Sequence, residues 1–115
     1  MSKLPLDYLL HILDECEYLT SDSYKQLSLE QFQSDETLKR ATARSLEIIG
    51  EATKNLSDSF RADHPNIPWK NMAGMPNRLI HDYMGVNYRL VWDVVTNLLP
   101  TLHSQIREIA EKESE

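Results

Sequence analysis

Glycine is scarce in this chain. Three glycines in 115 residues leave no room for a glycine-rich phosphate-cradling loop, and the nucleotide-binding classes that need one are set aside. Cysteine is scarcer still. Cys16 is the sole one, which excludes an internal disulfide and a cysteine–histidine metal cluster. It sits among apolar residues at helical spacing and reads as a small core side chain. His11, His64, His81 and His103 lie far apart, and no two stand at the i, i+4 spacing of a helical metal site; the expectation is no metal. No apolar run approaches the roughly 20 residues that span a bilayer, so no membrane association is expected. "MSKLPLDYLL" lacks the apolar stretch and cleavage site of a signal peptide, and a cytoplasmic location follows as the default. Positive charge is also in deficit. The net charge of −6 argues against a general nucleic-acid coat protein, because phosphate contacts supply most non-specific affinity, but it leaves room for a small local basic site.

What is present is ordinary globular composition, 41% hydrophobic and 26% charged, in a length suited to one domain spanning 1–115 with a single core. Strand-type alternation is missing and helical periodicity is strong. Leu9, Ile12, Leu13, Cys16 and Leu19 recur at steps of three and four, which predicts a helix from about Leu6 to Leu19. "SLEQF" predicts a short helical turn. Ser34 or Asp35 then caps a helix running to about Asn55, with Leu38, Ala41, Ser45, Ile48, Ala52 and Leu56 as its buried stripe. Arg40, Arg44, Glu47 and Glu51 form a second, charged stripe on that helix. It reads either as a solvated face or as a polar network at a subunit contact or cleft. A helix from about Trp69 is expected to end near "MGVN", where Gly85 allows a positive φ. Asn87 caps the last helix, which carries Val91, Val94, Val95, Leu98, Leu102, Ile106 and Ile109 and is kinked but not stopped by Pro100. About 110–115 reads as a frayed polar tail. The fold class is all-α, an antiparallel bundle of four to five helices.

The chemistry concentrates in "GMPNRLIHDYMGVN", Gly74 to Asn87. On a helix, Arg78 and His81 share a face, and Arg78 is spaced to pair with Asp82. Leu79, Ile80 and Met84 would then pack inward. Two readings stay open from the residues alone: a packed turn with surface charges, or a site in which His81 acts as an acid–base group near neutral pH.

The strings "RSLEIIGEATKNL", "IPWKNMAGMPNRLIHDYMGVN" and "VWDVVTNLLPTL" occur in this order, and in them the chain resembles the HepT-like toxins of the HEPN superfamily. The resemblance runs from the first helix to about Ile106. It implies an all-α, HEPN-like homodimer. It also implies a ribonuclease toxin of a type VII toxin–antitoxin pair, cutting RNA without a metal and requiring no cofactor of its own. The implied partner is an MntA-like nucleotidyltransferase antitoxin, which uses ATP and Mg to add AMP to a tyrosine of the toxin. Carried onto this chain, His81 matches the catalytic histidine, Asn77 the polar residue that follows the family arginine, and Tyr83 the AMP acceptor. Arg78 is a further catalytic candidate, and Arg44 and Arg40 are candidate substrate-binding residues.

One position departs from the pattern. The family arginine falls on Pro76. Arg78 lies two residues later, about 200° around an ideal helix, and does not occupy the missing guanidinium's place. The change removes a cation that would hold the scissile phosphate. Proline also lacks a backbone donor and clashes with the preceding turn, which predicts a break near Ala73–Met75 with Pro76 in the first turn of a new segment. Two functions therefore remain: a ribonuclease toxin, active or impaired, and a catalytically inert dimeric partner or substrate of a nucleotidyltransferase.

Overall fold

The computed structural model describes residues 4–81 and 85–115, without the side chains of Pro76, Ile80 and His81. Three long helices carry the architecture: α1 (Pro5–Leu19), α4 (Glu36–Lys54) and α9 (Leu99–Glu113). Short helices connect them: α2 (Asp22–Lys25), α3 (Leu29–Ser34), α5 (Asp58–Ala62), α6 (Trp69–Ala73), α7 (Met75–Leu79) and α8 (Tyr88–Asp93). Among the described residues the fold is all-α apart from one small antiparallel pair, β1 (Ile80–His81) with β2 (Gly85–Val86).

Each long helix starts where local chemistry allows it. In α1, Pro5 takes the first position, where its missing N–H costs nothing, and Asp7 accepts from the Leu4 N–H at 3.1 Å. Before α4, the Asp35 carboxylate accepts from the Leu38 N–H at 3.0 Å. Ser28 does the same for α3, accepting from Gln31 while the Gln31 amide oxygen accepts from the Ser28 N–H.

The five apolar residues expected to line α1 are all buried, and α1 packs against both α4 and α9. Ser45 of α4 donates to the Glu15 carboxylate, while Tyr8 and His11 flank Ile48 and Glu51 further along. Thr20 meets His103 at 3.4 Å, and Glu17 meets Arg107 at 3.5 Å. In both pairings the residue at or nearer the C-terminal end of α1, Thr20 being its C-cap, meets the earlier residue of the neighbour, so α1 runs antiparallel to each. Phe32, Leu46, Ile49, Met72, Leu99 and Ile106 fill the space between these helices, and full burial of each such side chain is worth about 1.5–3 kcal/mol.

The buried stripe of α4 differs from the expected one. Ala41 is exposed, and Leu38 and Ile48 are only half-buried. Thr42, Ser45, Leu46, Ile49, Ala52 and Thr53 face inward. The threonines explain the shift. Thr42 donates to the Leu38 carbonyl at 2.7 Å and Thr53 to the Ile49 carbonyl at 2.8 Å, so each hides its hydroxyl in the preceding turn and presents a methyl. With its proton so used, Thr42 accepts from the buried Tyr24 hydroxyl at 2.6 Å.

The last helical run, Tyr88 to Glu113, passes Pro100 without stopping. A π-helical turn over Val94–Leu98 precedes it. The proline ring would clash with the carbonyl four residues back, and the wider turn relieves that contact. Helical geometry continues to Glu113, beyond the expected start of fraying, although residues 111–115 are exposed.

Candidate active site

α6 begins directly after Pro68 and is fixed by Trp69. Its ring is 6% exposed, and its indole N–H donates to the His64 carbonyl at 2.9 Å. Met72 is the second buried residue of that turn. Gly74 then ends it with right-handed backbone geometry, its N–H donating to the Lys70 carbonyl at 3.0 Å. A Cβ at Gly74 would stand 3.2 Å from that carbonyl, a tight contact. The break expected near Ala73–Met75 is therefore present, and Pro76 is the second residue of α7. There its absent N–H falls where the ladder is already interrupted.

Met75 and Leu79 are 2% exposed and seat α7 against α4. Asn77 and Arg78 are exposed on the same short helix. The helix was expected to run on toward Gly85, but it ends at Leu79. Ile80 pairs with Val86 and His81 with Gly85, and the Asn87 N–H donates to the Leu79 carbonyl at 2.6 Å. Gly85 has φ 90°, the left-handed conformation expected of it. Asn87 caps α8, accepting from the Leu90 N–H at 3.1 Å.

This ladder changes the relation between the candidate residues. His81 lies on a strand residue and not on a helical face shared with Arg78. Asn77 and Arg78 stay on α7, three and two residues before β1 begins. The His81 side chain, Tyr83, and the Asp82 and Met84 contacts expected above lie outside the described residues.

Arg40 and Arg44 stand on the exposed charged face of α4, apart from α7 in sequence and engaged with carboxylates of their own helix. Arg40 is 3.9 Å from Glu36 and Arg44 is 3.2 Å from Glu47. Arg44 also borders a groove of about 200 Å³ with Tyr8, His11, Ile48, Glu51 and Asn55. Among the described residues, that groove includes neither Asn77 nor Arg78.

Three further titratable groups, His103, His64 and Cys16, are engaged away from α7. His103 Nε2 takes a hydrogen bond from Arg107 at 2.9 Å, so its Nδ1–H faces Thr20 in the α1–α9 contact. His64 packs on Phe60 with ring centroids 4.8 Å apart. The Cys16 thiol is pushed up to about 12, first by burial and then by the charges of Glu15 and Glu17, so it is no nucleophile near neutral pH. Among the described residues, no group of three or more His, Cys, Asp or Glu is placed to hold a metal ion, and no helix is long and apolar enough to cross a membrane.

A feature missed in the sequence lies beside α6. Arg61, Trp69, Lys70 and Asn71 border an open depression of about 530 Å³. Its only sequence signal was the pair of cations flanking "IPW", and these are separated by the irregular segment 63–68.

Residues 9–109 match the family described as "Ribonuclease HepT-like". The chain belongs to the HepT-like ribonuclease family, as the resemblance implied. Its relatives include a protein named "Putative RNase" from Caldanaerobacter subterraneus subsp. tengcongensis, 51% identical over 111 residues, covering 96% of this chain and 98% of the relative. A "Probable ribonuclease HepT" from Thermococcus cleftensis is 38% identical over 109 residues, covering 95% and 98%. A "Putative RNase" from Methanocaldococcus jannaschii is 42% identical over 88 residues, covering 76% and 73%. No solved structure matches the chain.

Proposed function

We propose that this chain is a metal-independent ribonuclease toxin whose cleft forms where two copies meet, and that Pro76 leaves it impaired. The observation that carries the reading is the α7 segment. Two buried anchors, Met75 and Leu79, hold Asn77 and Arg78 at the surface, and His81 follows directly on β1, in a chain of the HepT-like ribonuclease family.

The reaction is attack of a ribose 2′-oxygen on the adjacent phosphorus. The bond from phosphorus to the 5′-oxygen breaks, leaving a cyclic phosphate and a 5′-hydroxyl. His81 moves the proton from the attacking oxygen to the leaving one. Asn77 and Arg78 donate to the phosphate oxygens. The antitoxin is a nucleotidyltransferase that transfers AMP from ATP, with magnesium, to the Tyr83 oxygen and releases pyrophosphate. The added phosphate repels the RNA phosphate, and the adenosine occludes the cleft.

Pro76 favours a second reading, in which the chain is an inert dimeric partner of that enzyme. Purified protein with Pro76 and with Pro76→Arg, assayed on RNA with chelator present, separates the two. Weak or absent cleavage is expected from the first. The arginine should raise it on the scale of about 2.7–4 kcal/mol that one charge-stabilising donor supplies. His81→Ala in the arginine background should abolish it. Strong cleavage by the Pro76 form that survives His81→Ala would refute the mechanism. Intact-mass measurement with the transferase, ATP and magnesium tests Tyr83: gains in AMP steps should vanish in Tyr83→Phe.

A further inference from the structure

We infer that the depression beside α6 is a second phosphate-binding subsite, in which Arg61 and Lys70 hold the backbone of single-stranded RNA next to the α7 segment. The inference rests on the ribonuclease reading and extends it to how the substrate is held.

The local charge is the first ground. The whole chain carries −6, yet the residues lining this depression include two cations, Arg61 and Lys70, against one carboxylate, Asp58. An acidic protein that binds a polyanion must gather its positive charge locally.

The state of Arg61 is the second. Its side chain is only 25% exposed, while its ion-pair partner Asp58 is 99% exposed and 2.8 Å away. Its Nε–H is enclosed and has no hydrogen-bond partner among the described residues. A guanidinium held this way has lost part of its hydration and little of it is replaced, since among the described residues the carboxylate it meets, Asp58, stands in solvent. Its stem is already ordered by burial, so binding an anion freezes fewer rotamers than at a free surface cation. Asp58 takes a single bond from Nη2 at 2.8 Å, whereas a phosphate entering the depression can take two parallel N–H bonds from a guanidinium.

Position is the third. Lys70 and Asn71 are exposed on α6, and α6 packs against α7 with Gly74 alone between them. Asn77 and Arg78 are exposed on α7. Exposed donors therefore stand on both of two adjoining helices, the one that borders the depression and the one that carries the motif. The depression is open and broad, which suits a strand passing through and not an enclosed small molecule. Trp69 gives its floor rigidity: the ring is buried and tied to the His64 carbonyl.

The test measures RNA binding, not cleavage, so that it does not depend on Pro76. Fluorescence anisotropy with a labelled single-stranded RNA is followed across a salt series for the full chain, Lys70→Ala, Arg61→Gln and the double variant. Lys25→Ala, an exposed lysine outside the depression, is the charge-matched control. The slope of log affinity against log salt should fall by about 0.7 for each phosphate contact removed from a single strand, and the double variant should bind several-fold more weakly than Lys25→Ala. Asp58→Asn, which frees Arg61 without touching a buried group, should strengthen binding beyond Asp14→Asn, a control at another exposed acid. Lys70→Ala alone keeps the test valid if Arg61→Gln destabilises the fold. RNA binding with the slope unchanged in Lys70→Ala and in the double variant would overturn the subsite and leave the ribonuclease reading standing. So would variants that keep RNA affinity but lose the nucleotidyltransferase, which would assign the depression to the protein partner. No RNA binding and no cleavage by either the parent chain or Pro76→Arg would overturn both.

Discussion

The contact of α1 with α4 and α9 and the run from α6 to β2 are built on different terms. In the first, helices of 15, 19 and 15 residues share a continuous buried face. In the second, each helix has five residues, far below the roughly 12–15 at which an isolated helix becomes marginal in water. Each is held by two anchors: Trp69 and Met72 in α6, Met75 and Leu79 in α7. The long helices store stability in many contacts. The short ones spend little burial and leave Lys70, Asn71, Asn77 and Arg78 at the surface. The residues proposed to carry chemistry are exposed, and exchanging them should disturb the fold little, whereas exchanging the buried ones between the long helices should disturb it much more.

The sharpest form of that contrast uses alanine in both places. Ile49→Ala, at a fully buried position of α4, should cost about 2–5 kcal/mol in urea unfolding. Asn77→Ala should stay within about 0.5 kcal/mol while weakening cleavage in the Pro76→Arg background. A large stability loss at Asn77 would break the comparison.

The next effect depends on pH. Cys16 is raised from 9.0 to about 12 in the folded chain. Between those values the unfolded chain has lost the thiol proton and the folded chain retains it. Unfolding therefore releases a proton, and stability falls as pH rises above about 9, by about 1.4 kcal/mol per unit from this group. Cys16→Ala should show a shallower decline over pH 9–11, and matching slopes would contradict the burial argument.

The smallest concerns the junction between the paired strands and α8. Asn87→Ala removes the acceptor for the Leu90 N–H and should cost about 1 kcal/mol. Asn87→Asp, which keeps an acceptor at the cap, should recover most of it. If alanine and aspartate behave alike, the strand pairing and not the cap sets the start of α8.

Much of this molecule was legible because single residues dictate local geometry. Asp35 and Asn87 announce helix starts by their side-chain acceptors, Gly85 announces a positive φ, and Pro76 forces a break that Gly74 accommodates. Other features have no such signal. β1 and β2 are two residues each, too short for an alternating pattern, and their pairing depends on what the chain meets in space. The α4 stripe was misphased because Thr42 and Thr53 read as polar and are buried. Apolar periodicity does not reveal a hydroxyl satisfied by its own helix. At the site, Arg78 and His81 stood out from the residues alone as one of two open readings, and family resemblance added Asn77 and matched His81 to the catalytic histidine. Arg61 and Lys70 were hidden because their proximity depends on how segment 63–68 folds back.

Cys16 has a practical consequence. Its thiol is the sole one in the chain, and it is enclosed and held protonated. A cysteine introduced at an exposed position such as Asn71 or Arg40 would then be the only sulfur to react with a maleimide at neutral pH. The natural chain is already a host for single-site spectroscopic labels, and distances between two copies, or from one copy to a bound strand, can be measured without first removing a native thiol.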